Sequence, residues 1–165
     1  MDEKVLGYGV IGTGVYCDHY FGTLGPVFKN LRPVGCSDLN VEAAKAAAER
    51  WNVPKVYTTE EMLADPEVDI VIILTNPASH YSLTMAALKA GKHVYCEKPL
   101  TRTVYESRLL TQLAAKHKVA TQMGNQGASA EGVRKVCEWI WNGEIGEVTR
   151  VDAFTDRPIW PQCLE

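Results

Sequence analysis

The sequence predicts an α/β protein with a doubly wound parallel sheet of strand order 3-2-1-4-5-6. Two observations carry this prediction. Short apolar runs alternate with helical patterns along the chain, and one run, Asp69–Thr75, is continuously apolar and β-branched. A run of that kind is typical of a central parallel strand buried on both faces. Parallel neighbours need crossover connections, which the intervening helices supply.

The apolar run Val5–Ile11 predicts strand one, and a helix follows it from the glycine turn at Gly14. Gly25-Pro26 is expected to break this helix into two pieces, because proline lacks the N–H group that continues a helix. Apolar residues recur along the predicted helix at mostly helical spacing: Tyr20, Leu24, Val27, Phe28 and Leu31.

The other elements follow from apolar runs and from residues that start or stop helices. Strands two to six are predicted at Pro33–Ser37, Lys55–Thr58, Asp69–Thr75, His93–Cys96 and Val119–Met123. A helix is predicted at Val41–Trp51 with Asn40 as its N-cap, and a short one runs from the N-cap Thr59 through Leu63. Two more are predicted: Ser79–Ala90, which ends at Gly91, and a helix that begins with the capping-box pair Thr103 and Glu106 and ends at about Lys116. A last helix carries Val133, Val136, Cys137 and Ile140 on one stripe and ends at Asn142-Gly143, before a seventh strand at Glu147–Thr155.

Composition excludes several classes of partner. The 165 residues are 46% hydrophobic and 22% charged with a formal net charge of −3, so nucleic acid and anionic membranes are not expected partners. No secretory leader is recognisable, no apolar run approaches the ~20 residues of a membrane span, and the cysteines and histidines lack metal-ligand spacing. We therefore expect a cytoplasmic protein with reduced cysteines.

Polar and glycine residues follow five of the predicted strands. Ligands of open α/β sheets bind outside the carboxyl ends of the strands, near the point where the strand order reverses. The candidate cofactor-binding residues are therefore those that follow strands one, two, four, five and six. They are Gly12, Thr13, Gly14, Val15 and Tyr16; Ser37 and Asp38; Thr75, Asn76, Pro77 and His80; Glu97; and Asn125 and Gln126.

Gly12-Thr13-Gly14 predicts a phosphate-binding turn. Glycines let the backbone approach a phosphate closely, and the helix that follows directs its free N–H groups and positive dipole end towards it. The same pattern also occurs as a plain strand–turn–helix connection. The polar residues expected at the same edge of the sheet favour dinucleotide binding.

Asp38 closes strand two, where a carboxylate accepts hydrogen bonds from both ribose hydroxyls of an adenosine. A 2′-phosphate there would meet like charge, with a repulsion of roughly 4 kcal/mol at ~4 Å and an effective dielectric constant of ~20. No arginine follows directly, so NAD is favoured over NADP. The alternative is that Asp38 only caps the next helix.

Glu97-Lys98-Pro99 places two charges directly after a buried strand. Lys98 is the candidate catalytic residue, because a lysine at a pocket mouth hydrogen-bonds a substrate hydroxyl or shuttles its proton. The alternative is a Glu–Lys pair on a solvated loop. His80 either contacts a ligand or packs inside the protein. Asn125 and Gln126 hydrogen-bond either the amide groups of a ligand or the backbone groups of their own loop.

These residues together resemble the Gfo/Idh/MocA oxidoreductases (glucose–fructose oxidoreductase, inositol dehydrogenase and relatives), above all in Glu97-Lys98-Pro99. The resemblance covers essentially the whole chain and implies a Rossmann domain that binds NAD(P), with hydride transfer involving sugars, inositols or similar polyols. It also implies that Lys98 contacts the reacting hydroxyl, that Glu97 lies near the nicotinamide ribose, and that Asp38 holds the adenosine ribose. Thr75–Pro77 would pack along the cofactor.

The chain departs from the family pattern in several respects. Cys17 stands where glycine or alanine is usual. The tail, including Met123–Gly127 and Arg157–Gln162, is similar to a subgroup related to NAD-dependent glycosidases, whereas the first hundred residues resemble dehydrogenases, so a mosaic or chimera is one interpretation. Cys163-Leu164-Glu165 departs from the expected continuation, and the family's second domain is missing.

We therefore expect a Rossmann dinucleotide-binding domain over residues 1–127. Residues 128–165 would form the linking helix and first strand of a truncated substrate domain. Such a chain binds NAD but is nearly inactive alone, because the groups that position the substrate are missing. The alternatives are a non-catalytic or chimeric NAD-binding module and the cofactor half of an NAD-dependent glycosidase. A terminal strand without its sheet also favours a homo-oligomer.

Overall fold

The computed structural model describes residues 4–154 and contains a six-stranded parallel sheet in the order β3-β2-β1-β4-β5-β6. The predicted fold class and strand order are therefore confirmed. The strands are β1 (Leu6–Ile11), β2 (Leu31–Ser37), β3 (Lys55–Val56), β4 (Ile70–Ile73), β5 (His93–Cys96) and β6 (Thr121–Met123).

Six α-helices accompany the described strands, and the chain divides into two compact units between Asn125 and Gln126. The first unit holds the sheet with α1 (Val15–Val27), α2 (Val41–Trp51), α3 (Thr59–Ala64), α4 (Pro77–Lys89) and α5 (Val104–His117). The second holds a short 3-10 helix (Gln126–Ser129) and α6 (Glu131–Trp141). None of the helices between residues 4 and 154 has the length and apolar character that a membrane crossing needs.

Successive side chains of the central strands enter two separate cores on the two faces of the sheet. Val10 of β1 and Ile72 of β4 pack with residues of α1 and α2. Their neighbours Ile11 and Ile73 pack with residues of α3, α4 and α5. Alternation along a strand places consecutive side chains on opposite faces, so a sheet covered on both faces requires continuous apolar runs.

Helix α1 is continuous, so the predicted break at Gly25-Pro26 is wrong. Pro26 lies in the last turn, where its missing N–H removes one hydrogen bond only, and the Phe28 N–H still donates to the Leu24 carbonyl at 2.9 Å. Leu31, predicted within this helix, is instead the first residue of β2 and pairs with Leu6. Strand two therefore starts two residues before its predicted beginning.

Two helix starts are confirmed with their capping residues. Asn40 caps α2, accepting hydrogen bonds from the Glu42 and Ala43 amides at 3.1 and 3.3 Å. Thr103 and Glu106 form the predicted capping box of α5. In both cases the signal is local, because cap and amide are two or three residues apart.

Two other helix starts differ from the prediction. Thr58, not Thr59, caps α3, and it forms a capping box with Glu61. Helix α4 starts at Pro77 rather than Ser79, because the Asn76 side chain accepts the Ala78 N–H at 3.1 Å and proline is favoured in a first helical turn. Strands β3, β4 and β6 are shorter than predicted.

The last helix is confirmed at Glu131–Trp141, with Asn142 at its C-cap and Gly143 following at φ +75°. Residues 147–154 form no strand, so the predicted strand seven is wrong over this range. A strand needs a neighbour for its backbone hydrogen bonds, and no described strand pairs with this segment. The rest of the predicted strand, Arg157–Gln162 and Cys163–Glu165 lie outside the described residues. Self-association through this segment stays a prediction.

Candidate functional site

The turn after β1 requires a glycine at its first position. Gly12 has φ +99°, and a Cβ there would lie 2.9 Å from the carbonyl carbon of Leu74 and the amide nitrogen of Thr75. The Gly12 N–H also donates to the carbonyl of the buried Ser37 at 2.8 Å. The predicted turn therefore exists, and it brings the ends of β1, β2 and β4 together.

Gly14 is the N-cap of α1 and has open space beside it. A Cβ built there meets nothing within 4 Å. Helix α1 has no side-chain cap, whereas α2, α3, α4 and α5 each have one. Within residues 4–154, the first-turn amides at Val15 and Tyr16 thus lack a capping side chain. An uncapped helix N-terminus with free space in front of it suits an anion.

The acidic residue in the first turn of α1 is held away from that terminus. The Asp18 carboxylate binds the Arg50 guanidinium at 2.7 Å and accepts the Trp51 indole N–H at 2.7 Å. Both partners belong to the last turn of α2, so the negative charge of Asp18 is paired there.

Asp38 links the end of β2 to the glycine turn. Its Oδ2 accepts the Thr13 N–H at 2.6 Å and the Thr13 hydroxyl at 3.0 Å, and its Oδ1 accepts the Asn40 N–H at 2.9 Å. Partial burial alone would raise the pKa of Asp38, but these hydrogen bonds outweigh it and the pKa lies below its ordinary value. The cap of α2 is Asn40, so the alternative that Asp38 serves as that cap is wrong.

The turn after β4 is joined to the segment after β5 by His80. Its ring is 1% exposed, with Nδ1 at 2.7 Å from the Pro99 carbonyl oxygen and Nε2 at 2.9 Å from the Thr75 carbonyl oxygen. Both partners are carbonyl oxygens that can only accept, so a neutral imidazole donates its one N–H to one of them, and the tautomer decides which. Asn76 and Pro77, which follow Thr75, are exposed.

Glu97 is buried, so the alternative of a solvated Glu–Lys loop is wrong for this residue. It is 8% exposed, its N–H donates to the Ile73 carbonyl at 3.0 Å, and its Oε1 accepts the hydroxyl of Tyr20 on α1. Burial, and next the hydrogen bond to Glu97, raise the pKa of the Tyr20 hydroxyl, which stays a donor. Lys98 is exposed, and the Lys98–Pro99 peptide bond is cis.

Gly124, directly after β6, leaves the space that the Glu97 carboxylate occupies. A Cβ at Gly124 would lie 2.8 Å from Glu97 Oε2. Asn125 follows as an exposed residue, whereas Gln126 opens the 3-10 helix of the second unit. The structure therefore brings together the predicted residues from Gly12 to Glu97 at one edge of the sheet of the first unit.

Sequence reasoning missed Tyr20 and Gly124 as neighbours of Glu97. Tyr20 is assigned to the apolar stripe of the first helix, and 77 residues separate it from Glu97. No local pattern marks a pair at that distance along the chain. Gly124 stands beside Asn125 in the sequence, but only the folded sheet shows which side chain fills the space at its Cα.

Comparison with known proteins gives consistent matches over the same region. A family model described as an oxidoreductase family with an NAD-binding Rossmann fold matches residues 6–125. An uncharacterized oxidoreductase of Schizosaccharomyces pombe is 40% identical over 116 residues, which cover 69% of this chain and 31% of that protein. An inositol 2-dehydrogenase of Serratia proteamaculans is 32% identical over 145 residues, which cover 86% of this chain and 43% of that protein.

A solved structure shows the same fold. The crystal structure of an NAD-binding protein from Listeria innocua superimposes with a TM-score of 0.81 at 31% sequence identity, covering 87% of this chain and 42% of that one. The chain therefore spans less than half the length of each of these three relatives.

Proposed function

Because the chain belongs to the Gfo/Idh/MocA oxidoreductase family and contains its NAD-binding Rossmann domain, we propose that it is the cofactor half of an NAD-dependent oxidoreductase of polyols. The substrate class is a sugar, an inositol or a related compound, in keeping with the inositol dehydrogenase among its relatives. The observation that carries the proposal is the open space at Gly14, in front of an uncapped α1 and beside Asp38.

The residues present fit a dinucleotide. The first-turn amides at Val15 and Tyr16 would bind the pyrophosphate, because Gly14 leaves the backbone approachable and Gly12 shapes the turn. Thr75–Pro77 would line the cofactor. Asn125, the last residue of the first unit, would hydrogen-bond an amide of the ligand.

Asp38 would bind the adenosine ribose and select NAD over NADP. Asp38 lies at the carboxyl end of β2, where the ribose of a dinucleotide binds in open α/β sheets, and its hydrogen bonds to Thr13 hold it at the glycine turn. Its lowered pKa keeps it ionised at neutral pH. A 2′-phosphate at ~4 Å would be repelled by roughly 4 kcal/mol before water screens the pair.

Lys98 would act on the substrate, and Glu97 would lie beside the nicotinamide ribose. The bound nicotinamide would supply the hydride chemistry, while the exposed ammonium of Lys98 would hydrogen-bond the reacting hydroxyl and carry its proton. Buried Glu97 anchors the backbone from which Lys98 projects.

The proposed domain division is a dinucleotide-binding domain over residues 1–127 and the start of a substrate domain over 128–165. The chain alone would bind NAD but have almost no turnover, because orientation of the second substrate supplies a large part of the rate. A cytoplasmic location belongs to the same proposal, since Cys17, Cys36 and Cys96 are buried free thiols.

Calorimetric titration with NAD and NADP tests the proposal. We expect saturable NAD binding and NADP binding weaker by at least about tenfold, which is about 1.4 kcal/mol. Asp38→Ser should reduce the ratio of NAD affinity to NADP affinity. Glu42→Gln, which removes one exposed negative charge from α2, should leave that ratio unchanged. Absence of NAD binding at millimolar concentration would refute the cofactor function, and rapid oxidation of inositols by the chain alone would refute its inactivity.

A further inference from the structure

The segment that carries Lys98 has no regular secondary structure of its own. Residues 97–103, between β5 and α5, are neither helix nor strand. Backbone bonds tie its first residue to the sheet, where the Glu97 N–H donates to the Ile73 carbonyl at 3.0 Å. The position of the residues that follow therefore depends on bonds from other parts of the protein.

His80 supplies one such bond from α4. Its Nδ1 lies 2.7 Å from the Pro99 carbonyl oxygen, and its Nε2 lies 2.9 Å from the Thr75 carbonyl oxygen. A polar ring that is 1% exposed is costly to bury unless its nitrogens are hydrogen-bonded. The shorter contact is that of Nδ1, so we take the tautomer in which Nδ1–H donates to the carbonyl of Pro99, the residue after Lys98.

Tyr20 supplies a second bond from α1. Its hydroxyl donates to Glu97 Oε1, and its ring packs edge-on against Tyr95 with the centroids 5.6 Å apart. The carboxylate also packs against Gly124, where a Cβ would lie 2.8 Å from Oε2 and 2.9 Å from Oε1. The Glu97 side chain is therefore held by a hydrogen bond and by close packing.

The two bonds reach the segment from opposite faces of the sheet. Tyr20 belongs to the core shared by α1 and α2, whereas Ala87 and Leu88 of α4, the helix that carries His80, belong to the core shared with α3 and α5. Helix α1 starts at the glycine turn, and α4 starts at Asn76-Pro77. Each anchor therefore runs from an element of the proposed cofactor site to a residue next to Lys98.

We infer that Tyr20 and His80 are positioning residues that hold Glu97 and Pro99, and with them Lys98, in a fixed place relative to the glycine turn and the Thr75–Pro77 turn. The catalytic meaning of this arrangement rests on the function proposed for Lys98. The anchoring itself is a property of the chain without cofactor, so it is testable separately.

Amide hydrogen exchange of the whole chain, followed by NMR without cofactor, tests the anchoring. Tyr20→Phe removes one hydroxyl, and His80→Leu removes both ring nitrogens. We expect exchange at the Glu97 amide, which donates to the Ile73 carbonyl at 3.0 Å, to accelerate about fivefold to tenfold in each variant, which corresponds to the loss of a buried hydrogen bond. Exchange at Val10 and Ile72 in the sheet should stay unchanged.

Two further variants separate anchoring from general packing. His80→Asn keeps a donor close to the position of Nδ1 and should return the Glu97 exchange rate towards the wild-type value. Tyr8→Phe alters another buried tyrosine, on β1, and should leave the Glu97 exchange rate unchanged. Unchanged exchange at Glu97 in both Tyr20→Phe and His80→Leu would overturn the inference. So would equal acceleration throughout the sheet, since that is general destabilisation.

NAD titration of the same variants tests the link to function. We expect the affinity of Tyr20→Phe and His80→Leu for NAD to fall about threefold or more, and NAD to slow exchange at Glu97 more in the wild type than in the variants. If the wild type binds no NAD, the proposed function fails, and the exchange rates without cofactor still decide the anchoring. If NAD binds and the variants match the wild type in affinity and in NAD-dependent protection, the positioning role is refuted.

Discussion

The two glycines of the first turn should separate the stability of the fold from the binding of the cofactor. Gly12→Ala places a methyl group 2.9 Å from backbone atoms of Leu74 and Thr75, in a residue with φ +99°. Gly14→Ala places the same methyl group where no atom lies within 4 Å, in a residue with φ −68°. The substitutions are chemically identical and two residues apart.

The structure gives the size of each effect. A non-glycine residue held at a disfavoured positive φ costs about 1–3 kcal/mol, and overpacking against backbone costs about 1–3 kcal/mol more. Gly12→Ala should therefore lower the free energy of unfolding by about 2–6 kcal/mol. At Gly14, alanine is a poorer N-cap than glycine, which destabilises the fold, but it also reduces the conformational freedom of the unfolded chain, which stabilises the fold. The net change in the free energy of unfolding should therefore stay within about 1 kcal/mol.

Urea unfolding followed by circular dichroism, together with calorimetric titration of NAD, measures both quantities. We expect Gly14→Ala to unfold close to the wild type but to bind NAD at least about tenfold more weakly, because its methyl group enters the space required for phosphate approach. Equal stability of the two variants would refute the steric argument at Gly12. Wild-type NAD affinity in Gly14→Ala would refute the placement of the pyrophosphate.

Three further predictions concern single side chains. Because its folded-state pKa is lowered, ionised Asp38 contributes stability above its ordinary pKa that is lost as the pH falls through the lowered value. Asp38→Asn should thus lose less stability than the wild type between neutral and acidic pH in urea unfolding, and an identical pH profile would contradict this. Thr103→Ala should lower the free energy of unfolding by about 1 kcal/mol through loss of the α5 capping box, whereas the exposed control Thr23→Ala should not. Lys98→Met should leave the free energy of unfolding within about 0.5 kcal/mol, since its side chain is exposed, and a larger loss would assign it a structural role.

The first and last residues of an element were predictable where neighbouring residues in the sequence mark its ends. Helix α2 over Val41–Trp51 combines a side-chain cap with alanine-rich propensity, and β5 over His93–Cys96 lies between a glycine and two charges. The strand order followed from the alternation of strands and helices, since few topologies connect parallel strands through crossover helices.

The errors at Pro26 and Thr59 are local shifts of a helix end or cap, whereas two others arise because the deciding contact lies far away in the sequence. The break expected at Pro26 does not occur because the helix ends one residue later, at Val27. A seventh strand over residues 147–154 has the composition of a strand but no described partner. The Tyr20–Glu97 hydrogen bond joins residues that meet only after α1 and β5 pack together.

The carboxylate of Asp38 has a consequence for redesign of cofactor preference. It accepts both donors of Thr13, a residue that is only 6% exposed. The group expected to repel a 2′-phosphate therefore also stabilises the turn proposed to bind the pyrophosphate. Replacing Asp38 by an apolar residue leaves the Thr13 amide buried without its acceptor, which lowers the free energy of unfolding by about 1–3 kcal/mol. A change of preference to NADP in this protein therefore needs a paired substitution, in which a new hydrogen-bond acceptor for Thr13 accompanies the loss of the Asp38 charge. A library that varies Asp38 alone will select variants for folding before it selects them for cofactor preference.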